Sequence, residues 1–594
     1  MSLRSPTTIT LSVLALALGA GVGAGACGHD RDPFTTAPQN FGGEPSPDAG
    51  HCGYQCSIDG RKVLDSCTGQ VIVECSNDLA CGAGTCQEPC AAAAADSRST
   101  GCDFYFQAPP SSPQFGDACY AAFIVNSSTL AVDLTLERDG KKLDLSGAVY
   151  RTAVGSSSLE AHTGPLAAGE SVIVFLSDRD PSLPDEPQVI RCPSGVKAAH
   201  YWSTPSNRGT SVGKSFRLET STPVALSTIY PFGGAASFLP SATLVQPVVS
   251  WSKENVIING WEAVTAGKPV AQIVAAEDDT KVTVYPRKDI LGNSAIAGSP
   301  AGVPVSYTLG HGEFLQLTQT DELTGSFIVS DKPTSVFGGH QCADIPSTGA
   351  ACDTLGQQIP SFEHWGSEYA SAGYRPRAGD EQEPMPYRIV AARDGTRFEY
   401  EPTIPPGAPT ELQAGESAYF PVTVGSGIVV RSQDTEHPFY LAAYMTGWLG
   451  GYFGSPSYGT AGDPEFVNVV PTGQYLGAYS FYADPTYAET SLVVIRQKTD
   501  GRFDDVELDC TGPIQGFRPL GSRGEFEYAR VDLSIKGGNG LVTGDRTCTR
   551  GLHGMQSAGP FTATIWGWDR AASYAYPGGT AHRTLVETPL VSVH

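Results

Sequence analysis

Short runs alternating apolar and polar residues begin at Gly101: VDLTLE (132–137), KVTVYP (281–286), RFEYEP (397–402) and SLVVIR (491–496). A period of two puts every second side chain on one face, so these runs predict half-buried strands. Gly, Pro and Asp separate them, as turns require. A larger order recurs. An apolar strand appears as AAFIVN (121–126), QIVAAED (272–278), RIVAARD (388–394) and LVVIRQ (492–497). Each is followed by a Gly-Glu turn: Gly169-Glu170, Gly312-Glu313, Gly415-Glu416 and Gly524-Glu525. A proline then opens another strand, at Pro223, Pro333, Pro438 and Pro560, spaced by about 110 residues.

The connections repeat as well: Pro247 precedes Trp251, Pro360 precedes Trp365, and Pro471 precedes Tyr475. The chain ends on RTLVETPLVSVH, close to ATLVQPVVS (242–250), while GCDFYFQ (101–107) resembles the strand that follows such a connection. Ends that complete one another suggest ring closure, which removes sheet edges. The predicted fold is all-β over residues 101–594: four quasi-repeats of about 110 residues in a closed β-propeller-like ring. That ring is favoured over tandem β-sandwiches, which suit the same repeat length. Ring closure would bury Leu585, Val586, Leu590 and Val591 by pairing 584–591 near the strands after Cys102.

The N-terminal part reads differently. Arg4 precedes an uncharged stretch, Ile9 to Ala26, that ends in small residues, the pattern of a secretory signal peptide over 1–26. Ala24-Gly25-Ala26 before Cys27 resembles a bacterial lipobox, with Ala in the place of the usual Leu, so Cys27 is the expected lipidation site. Residues 27–50 then form a tether of Pro, Gly and Asp. Residues 51–100 carry Cys52, Cys56, Cys67, Cys75, Cys81, Cys86 and Cys90 and then AAAAADSRST, read as a disulfide-rich module and a linker. So short a segment buries little core, and its Cys spacing is too irregular for zinc. The chain has 15 Cys, and 14 remain once Cys27 is set aside, an even number suited to an oxidising compartment. No other stretch is apolar for long enough to span a bilayer, so membrane contact is expected through the lipid alone.

Composition narrows the function. Only 17% of residues are charged, the net charge is -24, and there are 68 Gly and 44 Pro. Nucleic acid is excluded as a partner, because phosphate binding needs clustered Lys and Arg and no basic run occurs. GTSVG around Ser211 fits the nucleophile-elbow pattern, but KSFRLETSTP after it alternates like a strand where a helix is needed. Lys214-Ser215 after Gly213 lacks the first Gly of a phosphate loop, since position 208 is Arg. No catalytic residue is assigned. The acidic stretches SDRDPSLPDEP (177–187) and Glu277-Asp278-Asp279 offer oxygen ligands for calcium without EF-hand spacing, and no cofactor is expected.

Ser330 to Asp353, SDKPTSVFGGHQCADIPSTGAACD, gathers His340, Cys342, Asp344 and Cys352 in a Gly/Pro-rich loop. They read either as metal ligands or as a turn stapled by Cys342–Cys352, and the staple is favoured for an exported chain. Cys510–Cys548 and Cys119–Cys192 are the other expected pairs, each within one unit.

LTGSFIVSDKPTSVFGGHQC (323–342) and ACDTLGQQIPSFEHWGSEY (351–369) are similar to the N-terminal domain of the IgG-Fc-binding protein family. QIVAAEDDTKVTVYP (272–286), YTLGHGEFLQL (307–317) and RIVAARDGT (388–396) extend the likeness, which is clear over roughly 250–450. The resemblance implies a secreted or lipoprotein member of bacterial, myxobacterial type. The expected function is a surface-anchored, non-enzymatic binding or adhesion protein of the outer membrane or cell surface. Its expected partner is an extracellular or envelope protein or glycan. The rival readings are a glycan-active or hydrolytic enzyme on a propeller scaffold and a structural envelope spacer. Tyr and Trp near Gly, as in TGWLGGYFG, are the candidates for a recognition surface.

Overall fold

The computed structural model describes residues 53–590, excluding 58, 59, 110, 113–115, 185, 187, 188, 205, 207, 235–238 and 350. The signal peptide, Cys27, the tether, Cys52 and Val591 lie outside the described residues. No helix among those described is long and apolar enough to cross a membrane.

The alternating runs are strands in an all-β domain. Thr280–Tyr285 buries every second residue, as a half-exposed strand should. Tyr120–Val125 and Pro269–Ala275 are buried on both faces, matching their unbroken apolar sequence. Three strands are unusually long: Phe216–Tyr230, Phe327–Ala343 and Gly551–Asp569. Each changes partners halfway. The first half of Phe216–Tyr230 pairs with Gly101–Phe106 and Leu134–Arg138, and the second with Tyr120–Val125 and Ser241–Val245. Phe327–Ala343 likewise moves from Thr280–Tyr285 to Pro269–Ala275 and Asp353–Ile359. In the third region the same path is broken into Ile428–Ser432 and Phe439–Met445, which belong to separate four-stranded sheets.

This arrangement corrects two expectations. Pro223, Pro333 and Pro560 do not open strands; they lie inside the long ones. A proline cannot donate to the ladder, and the register of Phe216–Tyr230 against Gly101–Phe106 shifts between Glu219 and Val224, around Pro223. The sheets are also half-barrels curled about these bent strands, not the four-stranded blades of a closed β-propeller. Strands of 15 to 19 residues in right-twisting sheets bend over a core more readily than they radiate from an axis.

The half-barrels share their cores. One apolar cluster joins Phe123, Phe175 and Phe232 of the first sheet to Tyr482, Val494 and Ile565 of the last. At the centre, Ser241–Val245 packs beside Asp353–Ile359, then Glu465–Asn468, then Ala572–Pro577, which returns to Ser241–Val245. Buried Gln357 spans this circuit, donating from Nε2 to the Ala242 carbonyl at 2.7 Å and the Ala575 carbonyl at 3.0 Å.

The two borders of the β domain meet by another route than the sequence predicts. Ser99 N–H donates to the Thr580 carbonyl and His582 N–H to the Ser97 carbonyl. Residues 584–590 form no strand. Val586 and Leu590 are buried in the second core, Leu585 is half-buried, and Leu590 N–H donates to Glu254.

The Cys-rich module is a three-stranded sheet (Tyr54–Cys56, Lys62–Asp65, Val71–Glu74) and a hairpin (Ala80–Gly82, Thr85–Gln87). Among the described residues its apolar cluster is Val63, Cys75 and Cys81. Disulfides Cys56–Cys81 and Cys75–Cys86 therefore supply its order, and Cys90–Cys102 fastens it to the β domain. The alanine run read as a linker is instead the helix Pro89–Ala95, since Ala is the strongest helix former and Pro suits the first turn.

Candidate functional site

Cys342 is bonded to Cys352, Cys510 to Cys548 and Cys119 to Cys192. The Cys342 and Cys352 sulfurs are therefore not metal ligands. His340 is fully buried, and its Nδ1 accepts the Cys342 N–H at 3.1 Å while Nε2 has no hydrogen-bond partner. Burial holds its pKa down to about 3. Ser211 begins the strand Ser211–Lys214 and donates to the Gly209 carbonyl, without the strand-turn-helix of an elbow.

Among the described residues, the two acidic stretches hold no gathered ligand set. Arg191 pairs with Asp178 and Arg179 with Glu186, while Asp278 accepts the His311 N–H. Asp509, Cys510 and His553 do lie close together. There, however, Cys510 is in its disulfide, and both His553 nitrogens are engaged, by Asp509 and the Thr549 carbonyl.

A different set of acids converges where the stapled loop meets the loop after Phe439–Met445. Asp344 lies between Cys342 and Cys352, and Asp353 opens the strand after the staple. Asp463 and Glu465 arrive from Glu465–Asn468 and the residues before it. All four are buried, from Asp344 at 6% exposed through Asp463 at 2% to Asp353 and Glu465 at 0%. Asp344 Oδ1, both Asp353 oxygens, Asp463 Oδ1 and Glu465 Oε2 have no hydrogen-bond partner.

Burial first, with Asp344 adding to it, pushes Asp463 to about 8, against the lowering effect of the Arg377 guanidinium. Burial pushes Asp344 to about 6, and holds Asp353 well above the usual carboxylate range with Asp463 and Glu465 adding to the effect. Arg377, the cation that faces Asp463, is already paired with Glu383 at 2.7 Å, with both side chains wholly buried. Gly447 leaves a gap here: a Cβ on it would lie 3.3 Å from Asp463 Oδ1, 3.5 Å from the Ile345 carbonyl and 3.6 Å from the Ala351 carbonyl.

A pH effect follows. Asp463 has a raised folded pKa, so its contribution is fully present below the unfolded value near 3.9 and is lost as pH rises through about 8. In chelator, Asp463→Asn should gain stability relative to the wild type between pH 5 and pH 8, read as melting temperature; an unchanging difference would refute the assignment. Buried His340 and His364, with pKa values near 3 and 4, act in the opposite sense. Their contribution is present above about 6.5 and is lost as pH falls through those values.

Above the acids sits the loop TGWLGGYFG (446–454). Phe453 is 71% exposed and held at φ 49°, a left-handed conformation that a bulky residue rarely adopts. Leu449 of the same loop is 42% exposed, while Tyr452 is buried and packs edge-on to Phe453. Gly447 N–H donates to the Ile345 carbonyl, which ties this loop to the stapled one. TGWLGGYFG is visible in the sequence as a recognition candidate, whereas Asp463 and Glu465 sit in GDPEF, about 110 residues from Asp353 and without motif.

Both loops lie within the part of the chain that a family comparison matches. The family described as IgGFc binding protein matches residues 241–567, more than half of the chain. The human IgGFc-binding protein is 23% identical over 321 residues, which is 52% of this chain and 5% of that protein. The chain thus spans a small fraction of the length of this relative. No solved structure matches it. The match across more than half of its length makes the chain a member of the IgGFc-binding protein family.

Proposed function

We propose that the chain is an exported, lipid-anchored binding protein of bacterial, myxobacterial type. It presents residues 101–594 beyond the Cys-rich module to recognise a secreted or surface macromolecule, a protein in preference to a glycan. The observation that carries the reading is Phe453, displayed on left-handed backbone with Leu449 over a disulfide-stapled loop. An exposed aromatic whose backbone is already fixed loses little entropy on binding, which is how recognition hot spots gain affinity. Membership of a family named for binding supports a non-catalytic role. The recurring single turns Val248–Ser250, Phe362–His364 and Thr472–Gln474 support reading 101–594 as copies of one unit.

The human relative's name makes an IgG Fc fragment the first probe, followed by envelope protein and glycan fractions. Phe453→Ala should weaken capture at least about tenfold, the loss of a buried aromatic anchor, without moving the melting temperature. Capture equal to wild type from every fraction would refute this face. Lipidation is tested separately: a fatty-acid probe should label the wild type and not Cys27→Ser, and equal labelling would replace anchoring by plain secretion.

A further inference from the structure

Four buried carboxylates with unpartnered oxygens need compensation. Asp344, Asp463, Asp353 and Glu465 form a file running inward, and Arg377 beside them is neutralised by Glu383. Buried charge is retained only when paired or when it coordinates a metal. The outer end of the file has the features of such a site. Asp463 Oδ1 is buried, unpartnered and directed at the space over Gly447, where the Ile345 and Ala351 carbonyls also converge. Asp344 Oδ1 is likewise unpartnered, and lies 3.5 Å from the Cβ position of Gly349 in the same loop. Asp509, Cys510 and His553, whose donor atoms lie within 4.8 Å of one another, are already engaged.

We propose that Asp344 and Asp463, with the main-chain carbonyls of Ile345 and Ala351, bind a calcium ion that clamps the stapled loop 342–352 to the loop carrying Phe453. The donors are all oxygen, and two are main-chain carbonyls on irregular backbone. Calcium accepts six to eight such ligands in flexible geometry, with water completing the shell. Magnesium demands a tighter octahedron and keeps more of its water. Zinc favours nitrogen and sulfur donors, and the nearby sulfurs are in a disulfide. Asp353 and Glu465 lie deeper, fully buried, and are not among the ligands. The disulfide fixes Ala351 relative to Asp344, so the staple and the ion order the same turn.

The test uses the purified full chain after chelator treatment. Calorimetric titration with calcium chloride should show one ion bound, with a rise in melting temperature that chelator reverses. Asp344→Asn and Asp463→Asn should each abolish that rise. Gly447→Ala keeps every carboxylate but fills the gap, and should also abolish it, which guards against a carboxylate variant that fails to fold. An absent calcium response in the wild type, or a full response in all three variants, overturns the proposal. An equal response to magnesium, or a zinc response lost in His340→Gln, overturns the assignment to calcium. Failure of Phe453→Ala to alter capture would leave the ion site standing, since the two readouts are independent.

Discussion

Removing residues 584–594 lowers the stability of the whole β domain rather than fraying one end. The deletion takes Val586 and Leu590 out of a core built mainly from residues 256–466, far from the last sheet in sequence. It also removes the Leu590 and Thr588 carbonyls that accept from Arg393, the Leu590 N–H on Glu254, and the Leu585 N–H on Glu363. Two buried aliphatic side chains contribute roughly 3–6 kcal/mol together, and Arg393 loses partners besides. Urea unfolding should show one transition at a lower midpoint. A main transition that keeps its midpoint, with a small separate loss at the C-terminal end, would refute the coupling. The half-barrel architecture leaves this result intact, because the return of the tail, and not propeller closure, places these residues in the second core.

The second large effect belongs to Arg377. Its Nε meets Glu383 at 2.7 Å, its Nη1 donates to the Thr446 carbonyl, and its guanidinium stacks on Tyr458 with the centroid at 3.9 Å. Arg377→Met leaves Glu383 charged and enclosed, and breaking a buried pair by removing one partner costs about 3–5 kcal/mol. It also deprives Asp463 of the cation that faces it. The double variant Arg377→Met/Glu383→Gln should recover part of the loss, because the uncompensated charge goes. A single variant that unfolds at the wild-type denaturant midpoint would mean that the pair is not buried in solution.

Two other networks follow the same logic at sheet junctions. Arg431 reaches Glu368, Glu401 and Glu525, and Arg388 reaches Glu322 and the Asn259 carbonyl beneath Tyr419. Each joins elements distant in sequence, so charge pairing here specifies which sheet meets which. A chain with 38 Lys and Arg against 62 Asp and Glu places several of its cations at these seams.

Several features were determined by local sequence alone. Alternation in KVTVYP and RFEYEP sets which faces of those strands are buried, because side chains alternate across a pleated strand whatever surrounds it. Pro247, Pro360 and Pro471 mark tight turns because proline restricts the backbone locally. The family resemblance in 323–369 was likewise legible, since it rests on residue order. Tertiary structure decided the rest. Whether a strand ends at Pro333 or bends through it depends on which neighbours its two halves find, which no local pattern encodes. The alanine run became a helix once Ala92 had a hairpin to pack against. Asp344 and Asp353 meet Asp463 because two segments about 110 residues apart converge on the inner strands, and burial then turned ordinary acidic turn residues into a cluster of raised pKa. Proximity across such separations depends on how whole sheets pack, and a single sequence carries no direct mark of it.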